Sequence, residues 1–113
     1  MHDPYTGATI AFTGEEPSQV QIDHVFPLAR AWKAGASRWT TSQRVRFAND
    51  IDLNLLAVAG IANQSKSDQG LDTWVPKNAS FACEYVRRYL SVAQRYQLMV
   101  TRAEVATALV GCP

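Results

Sequence analysis

Apolar and polar residues in the first half of the chain fall into short blocks that end at proline or glycine. Apolar runs and period-two alternation predict three short strands, over residues 8–12, 20–24 and 53–58. Helical spacing predicts three helices, over residues 28–34, 41–49 and 62–69. Thr40 or Thr41 is expected to cap the second of these helices. The last two strands are therefore separated by a long insertion and followed by a helix.

The second half of the chain has the spacing of two further helices. Asn78 or Ser80 is expected to cap the first, and Thr101 with Glu104 has the sequence of a capping box that begins the second. An aromatic stripe recurs along the first helix at near-helical spacing, formed by Phe81, Tyr85, Tyr89 and Tyr96. Such a stripe is more often part of a core than of a binding surface, so these helices are expected to buttress the first half.

Length and hydropathy limit the class of protein. A chain of 113 residues makes one domain with a modest core. No stretch approaches the roughly 18 to 20 continuous apolar residues of a membrane span, and no basic start followed by an apolar run indicates a signal peptide. A membrane partner is therefore not expected, and the sequence does not determine the oligomeric state.

The two cysteines, Cys83 and Cys112, do not make a structural zinc site even with both histidines unless unrelated positions contribute. A disulfide between them would tie the penultimate helix to the C-terminal tail and would fit an oxidising compartment. Alternatively, Cys83 is a buried helix residue and Cys112 a free thiol, or each pairs with a cysteine of a longer protein. The sequence leaves these alternatives open, with the disulfide preferred.

The formal net charge is +1, so the distribution of charge is more informative than its sum. The segment between His24 and Asp50 contains no acid and five basic residues, namely Arg30, Lys33, Arg38, Arg44 and Arg46. Together with Trp32 and Trp39, it could follow a phosphate backbone, or it could be an amphipathic helix with a solvated basic face. We expect Arg38, Arg44 and Arg46 to contact nucleic acid and the tryptophans to lie in the core.

Three short polar motifs carry the candidate chemistry: Asp23-His24, then Asn54, then Asn63. Carboxylate and amide oxygens are hard ligands that suit Mg²⁺ or Mn²⁺, and an imidazole beside them can take a proton from water. Phosphodiester hydrolysis needs both. The plainer alternatives are a core His24 bonded to a backbone carbonyl and an Asp23 that caps a turn. A regular strand would point the two side chains to opposite faces, so a bend near Pro27 must re-aim one of them.

The order Asp-His, Asn-Leu, Asn is the HNH pattern, and the chain resembles an HNH endonuclease of the ββα-metal superfamily. More narrowly, it is similar over most of its length to the actinobacterial branch of the GmrSD C-terminal (DUF1524-like) family. The segments that carry this resemblance are Asp3-Pro4-Tyr5-Thr6-Gly7, Ile22-Asp23-His24-Val25, Arg46-Phe47-Ala48-Asn49-Asp50, Asn54-Leu55-Leu56-Ala57-Val58, Asn63-Gln64-Ser65-Lys66 and Thr73-Trp74-Val75-Pro76. The resemblance implies an α+β fold, with a ββα-metal core, a basic insertion between the two strands and C-terminal buttressing helices.

The same resemblance implies roles for the polar residues. His24 would be the general base, Asp23 and Asn63 would bind one Mg²⁺ or Mn²⁺ ion, and Asn54 would brace the loop that carries the histidine. An asparagine at position 63 favours Mg²⁺ over Zn²⁺ or Ni²⁺. Lys66, one helical turn beyond Asn63, would contact a phosphate, or it is a solvated helix lysine.

The implied function is an endonuclease that cleaves DNA, or alternatively RNA, with little sequence specificity and leaves 5′-phosphate ends. Similar proteins carry an upstream cysteine-containing segment and often a secretion signal, so the resemblance implies one nuclease domain of a longer, secreted protein. Two alternatives from other classes are a catalytically silent nucleic-acid-binding module and a secreted domain that binds an anionic surface polymer.

Overall fold

Two antiparallel strands lie at the centre of the fold in this computed structural model, which describes residues 1–112. Strand β1 (Val20–His24) pairs with β2 (Leu55–Ala59), so that Val20 lies opposite Ala59 and His24 opposite Leu55. Within the described residues, five α-helices complete an α+β fold: α1 (Leu28–Ala34), α2 (Thr41–Ala48), α3 (Gly60–Lys66), α4 (Ala79–Tyr96) and α5 (Arg102–Gly111). The predicted α+β class is therefore correct.

The chain order follows the sequence pattern closely around the strands. Helices α1 and α2 lie between β1 and β2, and α3 begins directly after β2 and packs against both strands. Thr40 caps α2 through a capping box with Gln43. Gly60 allows the close approach of α3, because a Cβ at this position would lie only 1.9 Å from the Ser18 carbonyl oxygen.

The predicted strand over residues 8–12 is wrong. This segment contains only an isolated bridge between His2 and Thr9 among the residues described. The preceding residues form a turn around the buried Asp3, whose carboxylate accepts hydrogen bonds from the backbone N–H groups of Tyr5, Thr6 and Ala59. The Asp3 N–H donates to the Ala8 carbonyl and the Ile10 N–H to the Met1 carbonyl, so this segment pairs with residues 1–3 over too short a length to form a strand.

The strand predicted over residues 53–58 begins later than expected, at Leu55. The reason is a turn organised by Asp50, whose carboxylate accepts a hydrogen bond from the Leu53 N–H. The Asp50 carbonyl also accepts from the N–H groups of Asn54 and Leu55. Asn54 therefore lies just before the strand, in a turn that places it next to the segment following β1.

Helix α4 contributes tyrosines of the predicted aromatic stripe to the core, and α5 packs against α4. Tyr85 and Tyr89 are fully buried, and Thr101 with Glu104 forms the predicted capping box of α5. Asn78 precedes α4 at the N-cap position, but its side chain instead donates to the Pro4 carbonyl. No helix of the described chain is long and apolar enough to span a membrane.

Two further predictions concern residues around this core. Cys83 in α4 and Cys112 after α5 form a disulfide, the preferred alternative of the sequence analysis.

The predicted placement of Trp32 in the core is wrong, because this side chain is 52% exposed and lies under the guanidinium of Arg44. Trp39 is partly buried against the core, as expected.

Candidate active site

Asp23, His24 and Asn63 meet in one open cleft beside the end of β1. Its other lining residues are Ile22, Pro27, Leu28, Ala29, Ser67 and Asp68. Strand β1 ends at His24 and the chain bends over the next two residues, so both residues of the consecutive pair reach the cleft. The cleft therefore brings together the Asp23 carboxylate, the His24 imidazole and the Asn63 amide, and a second carboxylate, that of Asp68, also lines it.

The His24 ring is fixed by one hydrogen bond. Its Nε2 atom lies 2.8 Å from the carbonyl oxygen of Ala48, at the end of α2. Because a carbonyl oxygen can only accept, Nε2 carries the proton, and Nδ1 of the neutral ring keeps its lone pair. Nδ1 makes no hydrogen bond to any of residues 1–112, so it is the atom that can receive a proton in the cleft.

Asn54 holds the segment that follows His24. Its side chain is fully buried, accepts a hydrogen bond from the Phe26 N–H at 2.8 Å and donates to the Phe26 carbonyl at 3.2 Å. The Asn54 carbonyl also accepts from the Val25 N–H at 2.9 Å. These three bonds lock the bend after β1 and so fix where the imidazole stands. Asn54 does not line the cleft itself.

Asp23 is 6% exposed, and its two carboxylate oxygens differ in their surroundings. Oδ2 accepts a hydrogen bond from the Tyr5 hydroxyl at 2.5 Å and another from Lys66 Nζ at 2.6 Å. Oδ1 has no hydrogen-bond donor in the described part of the chain, and it is not among the buried polar atoms left unpartnered. Oδ1 is therefore the oxygen that can face a ligand in the cleft.

Neither sequence-based expectation for Lys66 matches its position. The residue is fully buried, so it is not a solvated helix lysine, and its ammonium is not placed to contact a phosphate. Its Nζ donates to Asp23 Oδ2 and to the carbonyl oxygens of His24 and Val25, at 2.6, 2.8 and 2.9 Å. Each of the three N–H groups of the ammonium therefore has one acceptor.

Aromatic rings surround the same ammonium. The Nζ atom lies 5.6 to 6.0 Å from three ring centroids, those of Tyr5, Trp74 and Tyr85. Burial lowers the pKa of Lys66, and the Asp23 carboxylate acts in the opposite direction. Lys66 therefore joins α3 to the end of β1 through a buried ion pair inside an aromatic enclosure.

Tyr5 is a site residue to which the sequence analysis assigned no role, although it lies in the N-terminal segment that carries part of the resemblance. It is buried beneath Asp23, and burial together with the Asp23 charge raises its pKa far above the ordinary value for a tyrosine. The hydroxyl consequently stays protonated and donates to Asp23. The N-terminal turn around Asp3 brings Tyr5 to this place, which explains why the turn is tied so firmly to β2.

Asn63 lies on the side of α3 that faces β1. Its amide nitrogen donates to Gln21 Oε1 at 2.9 Å, which orients the amide and leaves Oδ1 without a protein donor among residues 1–112. Beyond it, Ser67 ends the helix with φ 53° and ψ −132°, a backbone conformation that glycine favours, and lines the cleft with an exposed side chain.

The donors in the cleft suit a small, hard divalent cation. Asp23 Oδ1 and Asn63 Oδ1 are both oxygens, and Mg²⁺ commonly uses few protein ligands because water and phosphate oxygens complete its shell. Within residues 1–112, no group of three or more His, Cys, Asp or Glu side chains is arranged to hold a metal. A cation here would therefore depend on the carboxylate, the amide and the substrate together.

The predicted arginines do not lie in the cleft. Arg38 is exposed, while Arg44 points back toward the carbonyl oxygens of Ala36 and Ser37, at 3.4 and 3.5 Å. Arg46 lines a different depression. The basic residues beside the cleft are instead Arg30, which is paired with Asp72, and Lys33; both line an adjoining depression that shares Ala29 and Asp68 with the cleft.

Comparison with known proteins agrees with the resemblance. The family model of the C-terminal domain of GmrSD restriction endonucleases matches residues 2–107. An uncharacterized secreted protein of the fungus Arthroderma benhamiae is 49% identical over 102 residues. That match covers 89% of this chain and 48% of the fungal protein, so the chain spans about half the length of this relative. No solved structure matches the chain significantly. Since the family model covers almost its entire length, the chain belongs to the family of GmrSD restriction endonuclease C-terminal domains.

Proposed function

We propose that this domain is a divalent-metal-dependent endonuclease that hydrolyses DNA with little sequence specificity. The observation that carries the proposal is the state of His24: Nε2 is occupied by the Ala48 carbonyl, and Nδ1 remains available in a cleft shared with Asp23 and Asn63. A general base needs this combination of a fixed ring and an available lone pair. Membership in a nuclease family supports the reaction class.

The proposed reaction assigns one task to each side chain. His24 Nδ1 takes a proton from a water molecule, which attacks phosphorus in line with the leaving 3′ oxygen. Asp23 Oδ1 and Asn63 Oδ1 would hold a Mg²⁺ ion, which when bound would supply positive charge to the phosphoryl oxygens and the leaving group. Asn54 and Lys66 keep the bend after β1 in place. The bond between phosphorus and the 3′ oxygen breaks, the departing oxygen takes a proton from solvent water, and the products carry 5′-phosphate and 3′-hydroxyl ends.

DNA is the proposed substrate because the family consists of domains of restriction endonucleases. Direct base reading usually needs a helix or ribbon that enters a groove, and the cleft presents short side chains suited to backbone atoms. We therefore propose cleavage without strong sequence preference. A secreted location is proposed from the secreted relative and from the Cys83–Cys112 disulfide, which fits an oxidising compartment.

A metal titration of the Asn63→Ala variant tests the proposal. Removing the amide oxygen should weaken Mg²⁺ binding measured by calorimetry and slow DNA cleavage in parallel. Mn²⁺ should partly restore cleavage, because it binds the same ligands more tightly and tolerates poorer geometry.

Gln64→Ala is the matched control, because Gln64 is the exposed neighbour on α3 and does not line the cleft. It should leave both metal affinity and cleavage unchanged. If Asn63→Ala bound Mg²⁺ as tightly as the parent chain, the assignment of Asn63 as a ligand would be wrong.

A further inference from the structure

A second cleft, lined by six residues of α2, α4 and their flanking segments, shares no lining residue with the first. These residues are Trp39, Gln43, Arg46, Arg95, Tyr96 and Gln97, and we call the cleft the basic cleft. Arg46 projects from the last turn of α2 and Arg95 from the last turn of α4. Residues distant in sequence thus bring two positive charges to one concave surface.

Neither arginine forms an ion pair within the part of the chain that the structure describes. Both are exposed, and neither side chain takes part in a hydrogen bond there. The acid near the basic cleft is Asp50, and both of its carboxylate oxygens are occupied, by the Leu53 N–H and by the Tyr96 hydroxyl. Burial and the hydrogen bond to Asp50 raise the pKa of Tyr96 to about 12. The Tyr96 hydroxyl therefore keeps its proton and continues to donate it to the Asp50 carboxylate.

Gln97 adds a separate observation. It is a non-glycine residue in the left-handed conformation, with φ 53° and ψ 43°, at the end of α4. Glycine is favoured at this position, where the N–H groups of Gln97 and Leu98 close the helix on the Ala93 carbonyl. A glutamine there keeps a long amide side chain in the basic cleft at the expense of backbone strain.

We propose that the basic cleft binds a phosphate group of the nucleic-acid strand at a position outside the cleft where the bond is broken. Two guanidinium groups on a concave surface with a neutral amide suit a phosphodiester, because guanidinium forks match phosphate oxygens. The two clefts are joined through the end of α2: Arg46 lies two residues before Ala48, whose carbonyl holds the His24 ring. A strand held at Arg46 is thus positioned relative to the base. The proposal rests on the proposed function.

Binding without metal tests this proposal separately from cleavage. A labelled single-stranded deoxyoligonucleotide is titrated in chelator, with fluorescence anisotropy recorded across a salt series. Arg46→Gln combined with Arg95→Gln should weaken binding about tenfold or more. It should also lower the slope of log K against log salt by roughly 1.4, about 0.7 for each lost phosphate contact on a single strand. The matched control, Arg87→Gln with Arg102→Gln, removes the same charge from exposed positions away from the basic cleft and should change the slope much less.

The Gln97→Gly variant separates binding from folding. Relief of the left-handed strain should raise the thermal unfolding midpoint by a few degrees, while the loss of the amide should weaken oligonucleotide binding about two- to fivefold. The proposal is overturned if the double arginine variant binds like its control or if Gln97→Gly binds like the parent chain. If the parent chain cleaves DNA and either of these results is found, the proposed phosphate site is wrong and the proposed function is unaffected. A parent chain that binds no oligonucleotide contradicts the inference and the proposed function together.

Discussion

Replacement of His24 by glutamine is expected to reduce plasmid cleavage by about 10² to 10⁴, the usual contribution of a general base. Glutamine has an amide nitrogen where the imidazole has Nε2, so it can still donate to the Ala48 carbonyl that holds the ring at 2.8 Å. It has no basic nitrogen in place of Nδ1. The fold, the metal affinity and the affinity for DNA in chelator should therefore remain close to those of the parent chain.

His2→Ala is the control for this experiment, because His2 is the other of the two histidines and is exposed near the N-terminus. It should cleave plasmid at the parental rate. A His24→Gln variant that retained more than about a tenth of the parental rate would show that His24 is not the general base.

Replacement of Lys66 by methionine is expected to destabilise the domain by about 3–5 kcal/mol, the effect of removing one partner from a buried ion pair. Methionine approximates the volume of the lysine stem but has no donor. The Asp23 carboxylate would keep only the Tyr5 hydroxyl, and the His24 and Val25 carbonyls would each lose the donor that fixes them. Urea unfolding monitored by tryptophan fluorescence, with the disulfide intact, measures the change.

Lys77→Met provides the comparison for Lys66, because Lys77 is exposed and the same chemical change there removes a solvated charge. Its free energy of unfolding should stay within about 0.5 kcal/mol of the parental value. A Lys66→Met variant that lost less than about 1 kcal/mol would contradict the account of the ammonium as the anchor between α3 and β1.

The parts of the fold that local sequence decides were predictable. β1 ends three residues before Pro27, and capping boxes begin α2 at Thr40 and α5 at Thr101, because these signals act within a few residues. Residues 8–12 have the composition of a strand, yet their backbone partner is the short segment of residues 1–3, and an isolated bridge forms between His2 and Thr9. The apolar pattern of a segment does not show how long its pairing partner will be.

The candidate site was predictable only in part. Asp23, His24 and Asn63 do meet in one cleft, and Asn54 holds the bend after β1, because the motif spacing reflects two paired strands and the following helix. The burial of Lys66 could not be predicted, since it depends on rings contributed from three distant parts of the chain. A lysine one turn beyond Asn63 has the same local pattern whether it faces solvent or the core.

Incubation of supercoiled plasmid with the purified chain tests the central claim, a metal-dependent phosphodiester hydrolysis at His24, most directly. With Mg²⁺ present, the account predicts nicked and then linear plasmid whose ends carry 5′-phosphate and can be resealed by a DNA ligase. Excess chelator should stop the reaction, and His24→Gln should leave the plasmid supercoiled in the same buffer. Equal cleavage in chelator, or an intact plasmid in both Mg²⁺ and Mn²⁺, would contradict the claim.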